Sequence, residues 1–100
     1  MFEGFLPRKK GRKKLIEELA QEKRTIVLFE SPHRIVKTLT ELYQVMGDRT
    51  AVLARELTKI HEEVIRGTLG VLAVKAEEQK LKGEITLVIS GAPKTRNRGN

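Results

Sequence analysis

This 100-residue sequence lacks several features that would assign it to a particular class of protein. It contains no cysteine, and this absence excludes disulfide bonds and thiolate metal sites. No stretch approaches the roughly 18 apolar residues of a membrane-spanning helix, and the first residues lack the charge-then-apolar order of a signal peptide. We therefore expect a soluble, cytoplasmic protein without a membrane partner.

The motifs of several common enzyme classes are also missing. The sequence has no GxGxxG, no P-loop and no GxSxG, which argues against dinucleotide binding, P-loop nucleotide hydrolysis and serine-hydrolase chemistry. Its two histidines and its acidic residues do not have the spacing of a zinc site. We therefore predict no bound metal.

Positive charge is what the sequence has in excess. Twenty basic and 13 acidic residues give a net charge of +7, so an anionic partner is expected, with nucleic acid as the first candidate. Positive charge at the start of a helix opposes the helix dipole, and this misfit favours phosphate binding over a merely solvated helix start. The residues concerned, called the basic cluster below, are Arg8, Lys9, Lys10, Arg12, Lys13 and Lys14.

Hydrophobic periodicity predicts three helices and four strands. The first helix spans about residues 12–22, and the second has Ser31 as its cap and Pro32 at its first position and ends before Gly47. Residues 62–80 fit either one long strand or a strand and a helix, and we divide them at Thr68, which can cap a helix. The predicted strands are 25–29, 50–57, 62–67 and 84–90, and the third helix is 69–80.

This order of elements predicts an α/β fold in a single domain. The apolar run 25–29 suggests a central strand buried on both faces. A helix-connected crossover and a tight antiparallel step predict a mixed β-sheet flanked by helices, with one face covered more fully than the other. The polar residues 92–100 are predicted to form a disordered tail.

The segment ESPHR is the second candidate site after the basic cluster. It lies where a buried strand meets a helix, and ligands of open α/β sheets collect at the carboxyl ends of strands. Glu30, Ser31, His33 and Arg34 are therefore candidates for substrate contact. The alternative is that Ser31 only caps the helix, while His33 and Arg34 are exposed residues of its first turn. The charged segment 55–66 is either a surface ion-pair network or the wall of a cleft.

Four motifs in the same order carry a resemblance to a known family. The stretches are GFLPRKKGR, TIVLFESPHR, ARELTKIHEEVIRGTL and GEITLVISG. Over residues 4–91 the sequence resembles the C-terminal half of the bacterial ribosomal RNA small-subunit 2′-O-ribose cytidine methyltransferases. That family belongs to the tetrapyrrole-methylase-like superfamily, whose members use S-adenosylmethionine.

The resemblance implies the domain organisation. Residues 1–91 would form the C-terminal methyltransferase domain, with the basic segment 4–14 at its start. The Gly-rich S-adenosylmethionine loop would lie on an N-terminal domain that this chain does not contain and that would be its natural partner. The cofactor would lie in the cleft between the two domains, so that this chain supplies one wall.

The resemblance also implies roles for particular residues. Glu30 or Glu56 would be the general base for the ribose hydroxyl. Small-subunit ribosomal RNA would contact the basic cluster together with His33 and Arg34. The residues expected nearest the cofactor are Phe29, Glu30, Ser31, Ala54, Arg55, Ser90 and Gly91.

Two other functions stay open at this point. The same scaffold could methylate a tetrapyrrole or another small substrate, although such a substrate needs no basic cluster. The chain could instead be a non-catalytic RNA-binding or assembly module. Because a domain taken from a larger enzyme exposes apolar surface, we also expect a homodimer or other self-association.

Overall fold

The computed structural model of the chain describes residues 2–58, 61–79 and 81–93. These ranges hold five strands and three helices. In chain order, the elements are β1 (Phe2–Phe5), α1 (Arg12–Leu19), β2 (Ile26–Glu30), α2 (Ile35–Met46), β3 (Thr50–Thr58), β4 (His61–Thr68), α3 (Leu69–Gln79) and β5 (Ile85–Ile89).

The strands form one mixed sheet in the order β1-β2-β5-β3-β4. β1 pairs with β2 in parallel, whereas the β2–β5, β5–β3 and β3–β4 pairs are antiparallel. β1, β2 and β3 therefore run in one direction, and their carboxyl ends lie at the same end of the sheet, called the Glu30 end below. The carboxyl end of β5 lies at the opposite, Ser90 end. The predicted α/β class with a mixed sheet is confirmed.

All three helices contribute to a single core on one face of the sheet. Burial alternates along β2 and β5, and the register places Leu28, Leu87, Leu53 and Ile65 in one buried row. Fully burying a side chain of this size stabilises the fold by about 1.5–3 kcal/mol. The helices add buried side chains to the same cluster, among them Ile16, Leu19, Ile35, Leu39, Leu42, Leu69 and Leu72.

The other face of the sheet, called the open face below, is only partly covered. Phe5 on β1 is 59% exposed and Val64 on β4 is 45% exposed, while Val27 and Phe29 on β2 are half-buried. The expectation that one face is covered more fully is confirmed. The expectation that the strand 25–29 is central and buried on both faces is wrong, because β5 occupies the middle position and β2 alternates between the two faces.

Two local predictions at the start of α2 are also wrong. The helix begins at Ile35, and residues 32–34 form a turn in which the Arg34 N–H donates to the Ser31 carbonyl at 3.1 Å. Ser31 does not cap the helix, because Arg34 occupies the N-cap position without a side-chain cap hydrogen bond and the Ser31 hydroxyl lies 3.5 Å from Glu30 Oε2. Pro32 therefore lies in the turn and not in the first turn of α2.

The remaining boundaries lie close to the predicted ones, with three differences. The sequence did not predict β1, a four-residue strand whose pairing with β2 defines it. α1 ends at Leu19 and is followed by tight turn hydrogen bonds, from Gln21 N–H to the Glu18 carbonyl and from Glu22 N–H to the Leu19 carbonyl.

The third difference concerns the predicted tail. Ala92, the first residue of the predicted tail, donates its N–H to the Glu22 carbonyl at 2.6 Å, and the predicted disorder of the tail stays a prediction. Residues 94–100 of that tail, and residues 59, 60 and 80 of the predicted connection and third helix, lie outside the described residues. The division at Thr68 is confirmed, since β4 ends there and α3 begins at Leu69.

Gly91 is required by close packing of two backbone segments. A Cβ at this position would overlap the carbonyl group of Lys23 and lie 2.7 Å from the carbonyl oxygen of Arg24. We expect Gly91→Ala to lower the free energy of unfolding by about 2 kcal/mol or more, because backbone atoms cannot rotate away from the added methyl group. Chemical denaturation measures this loss. Ser90→Ala, at the exposed neighbouring position, is the control and should leave stability unchanged, and equal midpoints for the two variants would contradict the prediction.

The turn that leads into β2 contains a strongly bonded carboxylate. Arg24 donates to Glu22 Oε2 from its side-chain Nε at 2.9 Å and from its backbone N–H at 3.0 Å. These bonds, the side-chain bond first, lower the pKa of Glu22 from 4.5 to about 2. The contribution of these bonds to stability is therefore fully present above the pKa that Glu22 has in the unfolded chain. It is lost as the pH falls through the lower pKa of Glu22 in the folded chain. NMR titration should give a Glu22 midpoint near 2 that rises toward 4.5 in Arg24→Met; an unmoved midpoint would contradict this.

Candidate functional site

Three segments predicted to carry function meet at the Glu30 end of the sheet. Residues 6–11, with the first part of the basic cluster, follow β1, and the turn 31–34 follows β2. In β3, Ala54 and Arg55 are in register with Thr86 and Ile85 of β5, which in turn pair with Phe29 and Glu30 of β2. The shared direction of β1, β2 and β3 brings these segments together.

Glu30 is the last residue of β2, and its carboxylate is buried, with the whole residue only 5% exposed. Its Oε1 accepts a hydrogen bond from Thr38 Oγ1 at 2.5 Å. Its Oε2 accepts the Ser31 backbone N–H at 2.8 Å and lies 3.7 Å from Arg34 Nε. Both oxygens are therefore engaged within the protein, and the carboxylate holds the turn 31–34 against the end of β2.

Arg12 continues the same network from α1. Its Nε and Nη2 donate to Glu41 Oε1 at 2.9 and 2.6 Å, and its Nη1 donates to the Pro7 carbonyl at 2.8 Å. Nη2 also donates to Thr38 Oγ1 at 2.9 Å. The guanidinium thus joins the segment before Arg8 to two positions on α2.

Because of this network, Arg12 does not lie on the surface that was predicted to contact RNA. The residue is 6% exposed, and its guanidinium donates to a carboxylate, a hydroxyl and a carbonyl of the protein. A buried charge must be paired and hydrogen-bonded to be tolerated. Arg12 is therefore a structural cation that supports the site, and the sequence placed it with the surface charges because a run of basic residues does not show which of them points inward.

The other members of the basic cluster are at the surface. Arg8, Lys9 and Lys10 are exposed in the segment that leaves β1 at the Glu30 end, and Lys13 and Lys14 are exposed on the first turn of α1. In the turn 31–34, His33 is exposed and Arg34 is half-buried beside Glu30. The basic cluster without Arg12 thus shares one end of the sheet with the ESPHR turn.

The two predicted general bases lie on opposite faces of the sheet. Glu30 is on the helix-covered face and is buried. Glu56 lies one position beyond Arg55 on β3, on the open face, and is exposed. Of the two, only Glu56 has a carboxylate that a substrate can reach.

The predicted cofactor contacts separate into two groups. On the open face, Phe29 and Ala54 flank Thr86 in one row, and the Phe5 ring meets the Phe29 ring edge to face at a centroid distance of 5.6 Å. Arg55 lies on the other face, where its Nε donates to Glu63 Oε1 at 2.6 Å and its Nη1 to the Lys82 carbonyl at 3.3 Å. That ion pair agrees with the network alternative for the charged segment 55–66.

Ser90 and Gly91 form the second group, at the opposite end of the sheet. They line a cavity of about 470 Å³ together with Met46, Asp48, Arg49, Thr50 and Pro93. The five residue-to-residue steps from Ile85 to Ser90 span about 16 Å along the strand direction. The structure therefore does not bring Ser90 and Gly91 to the row that contains Phe29 and Ala54, and the role of Gly91 is explained by its approach to Lys23.

Sequence reasoning missed Thr38 and Glu41, which complete the network. Thr38 is 1% exposed and lies in the apolar stripe of α2 with Ile35, Leu39 and Leu42. The sequence did contain a signal for this network. Thr38 places a hydroxyl where the periodicity of α2 requires an apolar residue, and a buried polar group needs a hydrogen-bond partner. Within the described ranges, no group of three histidine, aspartate or glutamate residues could hold a metal ion, and no helix is long and apolar enough to span a membrane.

Curated proteins of known name are similar to this chain in sequence. The chain is 47% identical over 91 residues to ribosomal RNA small subunit methyltransferase I of Thermotoga maritima, a match that covers 91% of this chain and 41% of the relative. The proteins of the same name from Synechocystis and Mycobacterium tuberculosis are 50% and 52% identical, and the matches cover 92% and 91% of this chain but only 34% and 32% of the relatives. The chain therefore spans about a third to two fifths of the length of these curated relatives.

A solved structure has the same fold. The cobalamin biosynthetic enzyme cobalt precorrin-4 methyltransferase superposes with a TM-score of 0.65 at 20% sequence identity, over 90% of this chain and 40% of that one. This likeness concerns the fold alone. The family model for tetrapyrrole (corrin/porphyrin) methylases matches residues 3–73, and the chain therefore belongs to the tetrapyrrole methylase family.

Proposed function

We propose that this chain is the C-terminal part of an S-adenosylmethionine-dependent methyltransferase that methylates the ribose 2′-hydroxyl of a cytidine in small-subunit ribosomal RNA. The observation that carries the proposal is the position of the exposed basic residues. They lie at the same end of the sheet as the ESPHR turn, in a chain whose relatives are named ribosomal RNA small subunit methyltransferases. The reaction would take place in the cytoplasm, where ribosomal RNA is available.

RNA would be held through its phosphates. Arg8 can bind a phosphate with two parallel hydrogen bonds, while Lys9 and Lys10 act as point charges. His33 and Arg34 would extend this surface beyond β2, and Lys13 and Lys14 would extend it along α1. Such contacts release counterions, so the affinity should fall as the salt concentration rises.

The methyl donor would lie against the open face at the Glu30 end. Phe29 and Ala54 flank Thr86 and offer a mostly apolar surface with one aromatic ring. Cofactor sites are typically lined by apolar and aromatic side chains with a few polar groups, so this surface could hold an adenine ring. When bound, S-adenosylmethionine supplies an electrophilic methyl group on a sulfonium. We propose that this chain is part of a longer protein, as the greater length of its relatives suggests, and that another part of that protein supplies a Gly-rich loop on the other side of the cofactor.

The chain's own residues would contribute positioning and proton removal. Holding the ribose hydroxyl in line with the methyl group can supply about 7–11 kcal/mol in favourable cases. The exposed Glu56 carboxylate can accept the hydroxyl proton as a general base. Glu30 would not be the general base that the resemblance implied. Its two oxygens already accept hydrogen bonds within the protein, so it would instead hold the turn 31–34 in place.

A tetrapyrrole substrate is less well supported. The structural likeness to the cobalt precorrin-4 enzyme is at 20% identity and concerns the fold, whereas the relatives at 47% and 50% identity are named for ribosomal RNA. The self-association expected from the sequence stays a prediction, and the open face with Phe5 is the surface that would support it.

A domain exchange tests the proposed activity. The 91 residues of the Thermotoga maritima relative that match this chain are replaced by the corresponding residues of this chain, and transfer of labelled methyl groups to small ribosomal subunits is measured. We expect ribose methylation of a cytidine in the small-subunit RNA. A folded exchange protein that binds the cofactor without methylating this RNA would contradict the proposal. If the chain still binds RNA in that case, it is a non-catalytic module.

RNA contact by the basic cluster is tested by matched lysine pairs. Lys9→Ala/Lys10→Ala should lower the affinity of the chain for small-subunit RNA and reduce the slope of log affinity against log salt by about 1.4–1.8, which corresponds to two phosphate contacts. The control is Lys23→Ala/Lys75→Ala, which removes two exposed lysines elsewhere. Equal slopes for the two double variants would contradict the placement of RNA at the Glu30 end.

The role of Glu56 is tested in the exchange protein. Glu56→Gln should lower kcat by about 10²–10⁴-fold, the usual contribution of a general base, with unchanged cofactor affinity. Glu62→Gln is the matched control, because Glu62 is exposed and lies opposite Glu56 on the neighbouring strand. A wild-type kcat for Glu56→Gln would eliminate this residue as the base.

A further inference from the structure

Thr38 is a buried hydroxyl at the centre of the Glu30 end. It is 1% exposed and lies on the face of α2 that packs into the core. Its Oγ1 is within hydrogen-bond distance of Arg12 Nη2, at 2.9 Å, and of Glu30 Oε1, at 2.5 Å. No other described side chain hydrogen-bonds to both of these ionic residues.

The directions of these two hydrogen bonds are fixed by chemistry. A guanidinium can only donate, so Thr38 Oγ1 accepts from Arg12. Its single proton is then available for Glu30, and an ionised carboxylate can only accept. The hydroxyl therefore has one arrangement in which both neighbours are satisfied, and that arrangement links a cation from α1 to an anion from β2.

Each of the two ionic residues in turn holds a segment of the proposed RNA surface. Arg12 donates to the carbonyl of Pro7, immediately before Arg8. Glu30 accepts the N–H of Ser31, at the start of the turn that carries His33 and Arg34. The two segments follow different strands, and among the described hydrogen bonds the Thr38 hydroxyl is the shortest connection between them.

We propose that Thr38 is a positioning residue that couples the basic segment 8–10 to the turn 31–34, so that both face the RNA in one fixed arrangement. The inference rests on the proposed function for its consequence, RNA affinity, but the coupling itself is a property of this chain alone. Without the hydroxyl, Arg12 keeps its bonds to Glu41 and Pro7, and Glu30 keeps its bond to Ser31. The β1–β2 pairing and the Arg12–Glu41 ion pair still hold the two segments near each other, but the hydrogen-bonded link between Arg12 and Glu30 is lost.

The test compares three threonine variants. Thr38→Val keeps the shape and removes the hydroxyl, and Thr38→Ser keeps the hydroxyl. Thr40→Val is the matched control, since Thr40 is exposed on the same helix and its hydroxyl donates only to the Val36 carbonyl within that helix. We expect Thr38→Val to weaken binding of small-subunit RNA about tenfold, within the range of coupling for residues that share one hydrogen-bond network. Thr38→Ser and Thr40→Val should stay within about twofold of wild type, since each keeps the linking hydroxyl.

A double-variant measurement separates positioning from stability. If Thr38 acts by placing Lys9 and Lys10, then Thr38→Val should have a much smaller effect on RNA affinity in the Lys9→Ala/Lys10→Ala background. The proposal would be overturned if Thr38→Val lowered RNA affinity by the same factor in both backgrounds. A folded Thr38→Val variant with wild-type RNA affinity would also overturn it. Should Thr38→Val fail to fold, Arg12→Lys provides the second test, because an ammonium group cannot reproduce the fork that reaches Pro7, Thr38 and Glu41 together.

NMR keeps this inference distinguishable from the proposed function. Even if the wild-type chain binds no RNA, which would contradict the proposed function, Thr38→Val should shift the backbone amide signals of both 8–10 and 31–34 and speed hydrogen exchange at Ser31. Thr40→Val should leave both segments unchanged. Changes confined to one of the two segments in Thr38→Val would show that they are not coupled.

Discussion

The ion pair between the buried Arg12 guanidinium and Glu41 is the interaction on which the Glu30 end depends. It fixes α1 against α2, and through the Pro7 carbonyl it fixes the segment that connects β1 to α1. A charge in this position would be costly if any of its donors faced an apolar group. Here a carboxylate, a hydroxyl and a carbonyl surround it, and the neighbouring carboxylate of Glu30 is bonded through Thr38 and Ser31. The network is thus satisfied as a whole, and loss of one member leaves others without partners.

The single-sided core has a direct consequence for function. Because α1, α2 and α3 all pack on one face, the side chains of β1, β2 and β3 that point the other way form a broad and largely apolar surface. A surface of this kind is usually covered by another domain, a ligand or a partner. The open face and the cationic segments meet at the Glu30 end, where an apolar cofactor wall and a phosphate-binding surface would adjoin. The Glu30 end of the sheet therefore combines an apolar surface with positive charge.

Strand direction explains which predicted residues lie at the same end of the sheet. Glu30, Ala54 and the basic segment are far apart in sequence and lie at that end because three strands share one direction, although Glu30 and Ala54 are on opposite faces of the sheet. Ser90 follows an antiparallel strand and is carried to the opposite end for the same reason. Direction and register arise from pairing between distant segments, which local periodicity does not encode. The short β1 is an example, since its four residues form a strand because they pair with the neighbouring β2.

The sequence by itself determined the elements with strong periodicity, such as α2, β3 and β5, together with the α/β class, the excess of positive charge and, through the order of four motifs, the family. These properties depend on residues close together in the chain or on composition. Only the tertiary structure decided that Arg12 turns inward while Lys9 and Lys10 stay in solvent, that Glu30 is bonded internally while Glu56 is exposed, and that Thr38 links the two ionic residues. The physical reason is that burial and hydrogen-bond partners are set by contacts between elements. Two glutamates with the same intrinsic chemistry therefore have different surroundings according to the face of the sheet on which they lie.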